Sequence, residues 1–79
     1  MSPQLKHAWR VEFGQRVRTA RHDLGWTQEH LAEESGLHPT YVGDSERGER
    51  NVSLDNILRL AKALDTDAGV LMDGLQELL

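Results

Sequence analysis

The sequence contains no cysteine among its 79 residues. This absence excludes a disulfide framework and a thiolate metal site, and it suits a reducing cytosol. The four histidines do not replace the missing thiolates, because they fall on separate predicted elements without the paired spacing of a zinc site. We therefore expect neither a metal ion nor a cofactor.

Long apolar runs are also missing. No stretch is long or apolar enough to cross a bilayer, and the opening MSPQLKHAWR lacks the apolar core of a secretory signal. There is no glycine-rich phosphate loop and no serine nucleophile with a partnered base. These absences predict a cytoplasmic protein that is neither a membrane protein nor an enzyme.

Acidic residues outnumber basic ones and give a net charge of −4, which argues against a polyanionic partner until the distribution of charge is considered. The basic residues fall in two blocks. Residues 1 to 22 carry five bases against one acid, and residues 47 to 62 carry four bases against two acids. A fold that brings the two blocks to one side would create a basic surface on an acidic protein.

The apolar residues recur at steps of three and four, which is the period of a helix with one buried face. The first such run contains Leu5, Trp9, Phe13, Val17, Ala20 and Leu24. Thr27, Ser53 and Asp67 are suitable N-caps for later helices, and Pro39 is suited to a first helical position. The sequence predicts one all-α domain over residues 1–79, with helices at about 6–24, 28–35, 39–47, 54–64 and 68–78.

The second and third predicted helices have the spacing of a helix-turn-helix motif, in which a turn containing glycine joins two short helices. The motif needs buried residues where the helices cross, a turn residue and an apolar anchor. These positions hold Leu31, Ala32, Gly36, Leu37 and Val42. The chain thus has the local pattern of a DNA-binding unit.

Residues 10 to 64 resemble the Cro/repressor-type helix-turn-helix family of the xenobiotic-response-element class. The stretch RVRTARHDLGWTQEHLAEESGL is similar to the family's first two helices, and TYVGDSERGERNVSLDNILRLAKAL to its third and fourth. The short controller proteins of restriction-modification systems are similar in size and pattern. The resemblance implies a five-helix lambda-repressor-like fold in a prokaryotic regulator that joins the nucleoid when it binds double-stranded DNA.

The resemblance also implies roles for individual residues. The positions that match contacts to DNA bases are Thr40, Gly43, Asp44 and Arg50. Those that match contacts to the DNA backbone are Gln28, Tyr41, Arg47 and Asn51. Arg21 and Glu46 match a buried ion pair between the first and third helices, although an ordinary surface pair is the alternative.

The chemistry of these side chains suits the implied roles. Thr40 offers a hydroxyl to base edges and a methyl group to thymine, while Asp44 can accept a hydrogen bond only from cytosine in the major groove. Gln28 adds a donor to a helix N-terminus, which attracts phosphate. Arg47 and Arg50 supply charge-assisted hydrogen bonds, which suit a phosphate or a base edge.

Two positions, Ser45 and Pro39, depart from the family pattern, and Gly43 is unusual in the middle of a helix. Ser45 stands where the family usually has a branched apolar residue, so its hydroxyl either bonds back to a carbonyl one turn earlier or leaves a less tightly packed, destabilised site. Gly43 either lets the backbone approach DNA or reflects drift on an exposed face. Pro39 replaces a base-reading side chain of controller proteins, which leaves the operator sequence open.

Two further features allow more than one interpretation. Tyr41 either packs on the domain or stacks near the DNA backbone. Glu29, Glu33 and Glu34 form an acidic outer face on the second helix, which is either a solvated face or a contact for the σ subunit of RNA polymerase.

The last predicted helix has a broad apolar face, which is wider than one small domain needs. Its members are Leu71, Met72, Leu75, Leu78 and Leu79. Half of this face could pack inward while the rest meets a second copy across a two-fold axis. The alternative is a monomeric domain cut from a longer regulator.

These observations predict a sequence-specific DNA-binding transcriptional regulator, an activator or a repressor, that binds a pseudo-palindromic operator as a homodimer. The competing hypothesis is an antitoxin-like module that mainly binds a toxin protein. A toxin-binding tail normally extends past the fifth helix, so the first hypothesis is favoured.

Overall fold

The computed structural model describes residues 7–79. The predicted start of the first helix near residue 6, the apolar Leu5 and the basic Lys6 therefore lie outside the described residues. Within them, the regular elements are α1 (Ala8–Asp23), α2 (Gln28–Ser35), α3 (Pro39–Glu46), α4 (Leu54–Ala63), α5 (Ala68–Met72) and a 3₁₀ turn (Leu75–Leu78). No strand occurs in this part of the chain, and none of its helices has the length and apolarity needed to cross a membrane.

The core lies where α1, α2, α3 and α4 meet. Its buried apolar residues are Phe13, Val17, Leu31, Ala32, Val42, Val52, Ile57, Leu60, Ala61, Leu64, Leu71 and Leu75. Trp9, Trp26 and Leu37 pack partly buried against this cluster, whereas Leu24, the last residue of the predicted apolar run, is 43% exposed. The packing holds α2 and α3 against each other as one unit.

The turn between α2 and α3 forms as the sequence predicts. Thr27 accepts a hydrogen bond from the amide of His30 at 3.0 Å and begins α2. Gly36 ends α2 in the left-handed conformation, with φ of 76°, which glycine adopts without steric cost. Pro39 then occupies the first position of α3.

Gly14 allows α1 to cross the end of α3 in backbone contact. A methyl group at this position would lie 2.3 Å from the carbonyl oxygen of Ser45 and 2.6 Å from that of Glu46. Ser45 is itself buried, and its hydroxyl donates to the carbonyl of Tyr41 at 2.8 Å. This back-bonding is one of the two arrangements predicted for Ser45, and it gives the polar group a partner in the core.

The prediction of a continuous fifth helix to residue 78 is wrong. α5 ends at Met72, Gly74 takes a left-handed conformation with φ of 73°, and the 3₁₀ turn follows. This break redirects the chain so that both Leu71 and Leu75 enter the core. The guanidinium group of Arg16 donates to the carbonyls of Leu71 at 3.2 Å and Asp73 at 2.7 Å, which satisfies the end of α5.

Candidate nucleic-acid interface

The beginnings of α2 and α3 border an open groove of about 280 Å³. Its lining residues are Gln28, Glu29, Pro39, Thr40, Gly43 and Arg47. The structure thus brings together four of the residues predicted to contact DNA. Thr40 is exposed in the first turn of α3, where the positive end of the helix dipole favours negative charge.

A buried ion pair fixes the floor of this region. Arg21 Nε donates to Glu46 Oε2 at 2.7 Å and Arg21 Nη2 to Glu46 Oε1 at 2.9 Å. The two side chains are 8% and 3% exposed, so this is not an ordinary surface pair. Gln28 Nε2 also donates to Glu46 Oε1, at 3.1 Å. The ion pair therefore orients Gln28 at the start of α2.

The hydrogen bond to Glu46 raises the pKa of Arg21 above its usual range, while burial lowers it. Because the pKa of Arg21 is raised overall, its guanidinium group stays charged. Arg21 also donates to the carbonyl of Trp26 at 2.8 Å. Its charge is therefore compensated within the protein and is not available to DNA.

Asp44 holds two of the predicted DNA-contacting arginines. Arg47 Nη2 donates to Asp44 Oδ1, and Arg50 contacts Asp44 Oδ2 through Nε at 3.2 Å and Nη2 at 3.1 Å. Arg50 also lies over the ring of Tyr41, with its central carbon 5.0 Å from the ring centroid. Tyr41 thus packs on the domain edge and supports a cation, whereas its contact with DNA stays a prediction.

Asn51 is exposed in the loop between α3 and α4, beyond Arg50. This loop therefore continues the surface that begins at Thr40. Gly43 is covered by neighbouring side chains, because a methyl group there would lie 3.2 Å from Arg47 Nη1 and 3.3 Å from Gln28 Oε1. Close approach of the Gly43 backbone to DNA would require these side chains to move.

The hypothesis that both basic blocks share one side fails for two arginines of the first block. Arg21 is buried against Glu46, and Arg16 pairs with Glu12 while it donates to carbonyls at the end of α5. Arg47 and Arg50 instead have side chains that are 54% and 45% exposed. The exposed cations beside the predicted DNA-contacting residues are therefore Arg47 and Arg50.

His38 is a residue of the interface that the sequence reasoning missed. Its Nδ1 accepts a hydrogen bond from the amide of Thr40 at 3.0 Å and thereby caps α3. Histidine is not among the strongly preferred capping residues, although its position directly before Pro39 marks the start of the helix. Because Nδ1 is the acceptor, the neutral ring carries its proton on Nε2.

The apolar face predicted for dimerisation is divided. Leu71 and Leu75 are buried within one chain, and Met72 is half-buried. Leu78 is 43% exposed and Leu79 is 90% exposed. Val70, which the prediction did not include, is 62% exposed. The apolar residues of α5 and the 3₁₀ turn that stay exposed to a partner are therefore Val70, Leu78 and Leu79, with part of Met72.

The acidic residues of α2 form no site of their own. Glu29, Glu33 and Glu34 are all exposed, and Glu34 lies 3.7 Å from His30 Nε2. Across residues 7–79, no three or more His, Asp and Glu side chains form a group that could hold a metal ion. Most of the residues predicted to contact DNA lie instead at the groove between α2 and α3 and in the cluster around Asp44.

The chain is similar in sequence and in structure to several known proteins. A helix-turn-helix family model matches residues 17–71. The control protein C.BamHI of Bacillus amyloliquefaciens is 51% identical over 65 residues, which cover 81% of this chain and 80% of that protein. The crystal structure of the restriction-modification controller protein C.AhdI from Aeromonas hydrophila is 57% identical with a TM-score of 0.76, and the match covers 77% of this chain and 92% of that one. SinR, a master regulator of biofilm formation crystallised with DNA, is 29% identical with a TM-score of 0.74 over 77% of this chain and 98% of that one.

Proposed function

Because the chain belongs to the helix-turn-helix family of DNA-binding regulators, in its group of controller proteins, we propose that it binds a pseudo-palindromic operator as a homodimer. The family and the five-helix lambda-repressor-like fold predicted from the sequence are confirmed. The family is one of regulators and not of enzymes. In the proposed complex, α3 lies in the major groove of each half-site.

One observation carries this proposal: Thr40 is exposed in the first turn of α3, at the edge of the groove that Gln28 and Arg47 also line. A helix that enters the major groove presents its N-terminal residues to base edges. Gln28, held by Glu46, then lies beside the free amides of α2, where a phosphate would bind. In this arrangement Thr40 would read a base, while Gln28 and Arg47 would contact the DNA backbone on either side of it.

The remaining residues extend this surface along the DNA. Asp44 and Arg50 would contact base edges after rearrangement of their ion pairs, and Gly43 would approach a base only after the Gln28 and Arg47 side chains move. Arg47, Tyr41 and Asn51 would contact the backbone. Each phosphate contact from an arginine releases counterions, so binding should weaken steeply as salt increases.

The dimer supplies the second half of the operator. Two copies joined through Leu78, Leu79 and Val70 would place two recognition helices about 34 Å apart, one turn of B-DNA. The exposed apolar surface at the end of the chain supports this proposal. A single small domain also gains stability from a partner.

Gel-shift measurements with the DNA upstream of the protein's own gene, at two salt concentrations, test the proposal. Wild-type protein should give a shift of dimer size that weakens with salt. Arg47→Ala should weaken binding to all sequences and reduce the salt slope by about one unit for each protomer of the dimer. Thr40→Ala should reduce discrimination between operator and other DNA by about 1 to 3 kcal/mol.

Lys62→Ala is the control for Arg47→Ala, because it removes one positive charge from the last turn of α4. It should leave the gel shift nearly unchanged. No shift by the wild type at micromolar protein and low salt would refute autoregulation through this DNA. That outcome would favour a distant operator or the alternative, an antitoxin-like module with a toxin partner.

Contact of Glu29, Glu33 and Glu34 with the polymerase σ subunit stays a hypothesis. C.BamHI and C.AhdI are control or controller proteins, and SinR was crystallised with DNA. These comparisons do not involve a polymerase. The exposure of the three carboxylates is equally explained by hydration of an ordinary helix face.

A further inference from the structure

The carboxylate of Asp44 lies between two exposed cations on the proposed DNA-binding surface. Arg47 bonds to one of its oxygens and Arg50 to the other. Asp44 is only 19% exposed, whereas the side chains of Arg47 and Arg50 are about half exposed. An anion of the protein itself therefore occupies the side of both guanidinium groups on which a phosphate oxygen would bind.

Other contacts restrain the same arginines. The ring of Tyr41 lies under Arg50, and Glu49 Oε1 lies 3.5 Å from Arg47 Nε. Asp44 is the member common to both arginines and belongs to α3, the helix proposed to read the bases. A change at Asp44 therefore acts on both cations at once without altering the buried ion pair below them.

We propose that Asp44 is a specificity-determining residue that acts through Arg47 and Arg50, by making both arginines exchange its carboxylate for DNA. The inference rests on the proposed function and deepens it. On DNA of unrelated sequence, the exchange leaves the carboxylate unpaired beside a polyanion, so binding is penalised. On the operator, the carboxylate gains a donor from the amino group of a cytosine, and the penalty is offset.

The reason for a penalty is the balance of charge in the complex. A carboxylate accepts hydrogen bonds but cannot donate them, so the phosphates and the acceptor atoms of guanine and thymine repel it. An exposed ion pair contributes modestly in water, and two such pairs broken together correspond to a change of about three- to tenfold in affinity. The effect should fall mainly on DNA that offers no cytosine at the right position.

The test measures the dissociation constants of full-length wild-type protein and Asp44→Asn for the operator duplex and for a scrambled duplex of equal length and composition. Asp44→Asn should bind the scrambled duplex about three- to tenfold more tightly, with a salt slope steeper by up to about two units. Binding to the operator should stay equal or weaken. The ratio of the two constants should therefore fall by at least the factor gained on scrambled DNA.

Two controls separate this mechanism from a general loss of negative charge. Asp73→Asn makes the same chemical change at the end of α5 and should leave the ratio unchanged. In a background of Arg47→Ala and Arg50→Ala, Asp44→Asn should no longer tighten binding to scrambled DNA, because no restrained arginine is left to release. Circular dichroism verifies that each variant is folded, and Asp44→Ser gives a second measurement of the same effect.

The outcomes distinguish the inference from the proposed function. A specific wild type whose ratio is unchanged in Asp44→Asn, or a variant that weakens equally on both duplexes, overturns the inference alone. A wild type that binds neither duplex at low salt overturns the proposed function and the inference with it. A reduced ratio that also appears in Asp73→Asn shows a general charge effect and likewise overturns the role of Asp44.

Discussion

The space around Gly14 determines how closely α1 and α3 can pack. The carbonyl oxygens of Ser45 and Glu46 face its α-carbon, and backbone atoms on both sides leave no flexible group to move away. We predict that Gly14→Ala lowers the free energy of unfolding by about 3 kcal/mol, because an added methyl group forces the two helices apart. Urea unfolding at fixed protein concentration measures the change.

Gly43→Ala is the matched control for this substitution. The new methyl group would meet only the ends of the Gln28 and Arg47 side chains, at 3.2 to 3.3 Å, and these groups can shift. Alanine also has a helix propensity about 1 kcal/mol more favourable than that of glycine. A stability of Gly43→Ala near or above the wild type, beside a large loss for Gly14→Ala, would establish the crossing; equal losses would contradict it.

The residue scale is also where sequence reasoning reached its limit. The ion pair of Arg21 and Glu46 was predictable because it matches a family position. The pairing of Arg47 and Arg50 with Asp44 was not predictable, since a long arginine side chain can reach phosphate or a carboxylate from the same backbone position. Arg16 illustrates the same ambiguity: its charge suggested DNA, whereas its guanidinium group binds carbonyls at the end of α5.

Among the elements, α2, α3 and α4 lie within one or two residues of the predicted ranges. Their ends are determined locally by a capping side chain, by Pro39 or by Gly36, and the sequence displays such signals directly. α5 was predicted too long because its apolar residues have helical spacing on both sides of Gly74. The break depends on tertiary contacts, since the redirected chain buries Leu75 beside Leu71.

Arg16 should be necessary for the end of α5 to stay docked on α1. Arg16→Gln loses a charged donor to the carbonyls of Leu71 and Asp73, and we expect the protein to lose about 2 kcal/mol of stability. Amide hydrogen exchange, measured by NMR in the variant and the wild type, should increase more in residues 75–78 than in the other elements. The exchange pattern identifies the affected element independently of the total stability.

Arg18→Gln provides the control on the same helix. Arg18 is exposed, and a surface substitution usually changes stability by less than about 0.5 kcal/mol. If Arg16→Gln behaved like Arg18→Gln in both measurements, the hydrogen bonds to α5 would have no energetic importance.

At the scale of the whole molecule, the proposed dimer depends on the exposed apolar residues near the end of the chain. Leu78→Glu should convert the proposed dimer into a monomer, because it places a charge in an apolar interface. Sedimentation velocity across a range of concentrations should show the change, while circular dichroism stays that of a folded helical protein. The same variant should lose the dimer-sized gel shift.

Leu24→Glu is a matched control, since Leu24 is 43% exposed, as Leu78 is, but lies at the end of α1. It should sediment as the wild type does. A dimer that persists in Leu78→Glu would place the interface elsewhere, and a wild type that is monomeric at every concentration would support the single-domain alternative.

In the proposed dimer, α1 keeps the helix proposed to read DNA at a fixed distance from the end of α5. Through Gly14, α1 touches the carbonyls of α3, and through Arg16 it holds the end of α5, beside the surface left for a partner. α1 therefore contacts both the helix proposed to read DNA and the element proposed to meet the second copy. One base pair inserted between the half-sites rotates them by about 34°. A dimer with this fixed geometry would not follow that rotation. The tolerance of a promoter to insertions would therefore be determined by Gly14 and Arg16, two residues that contact the protein's own backbone.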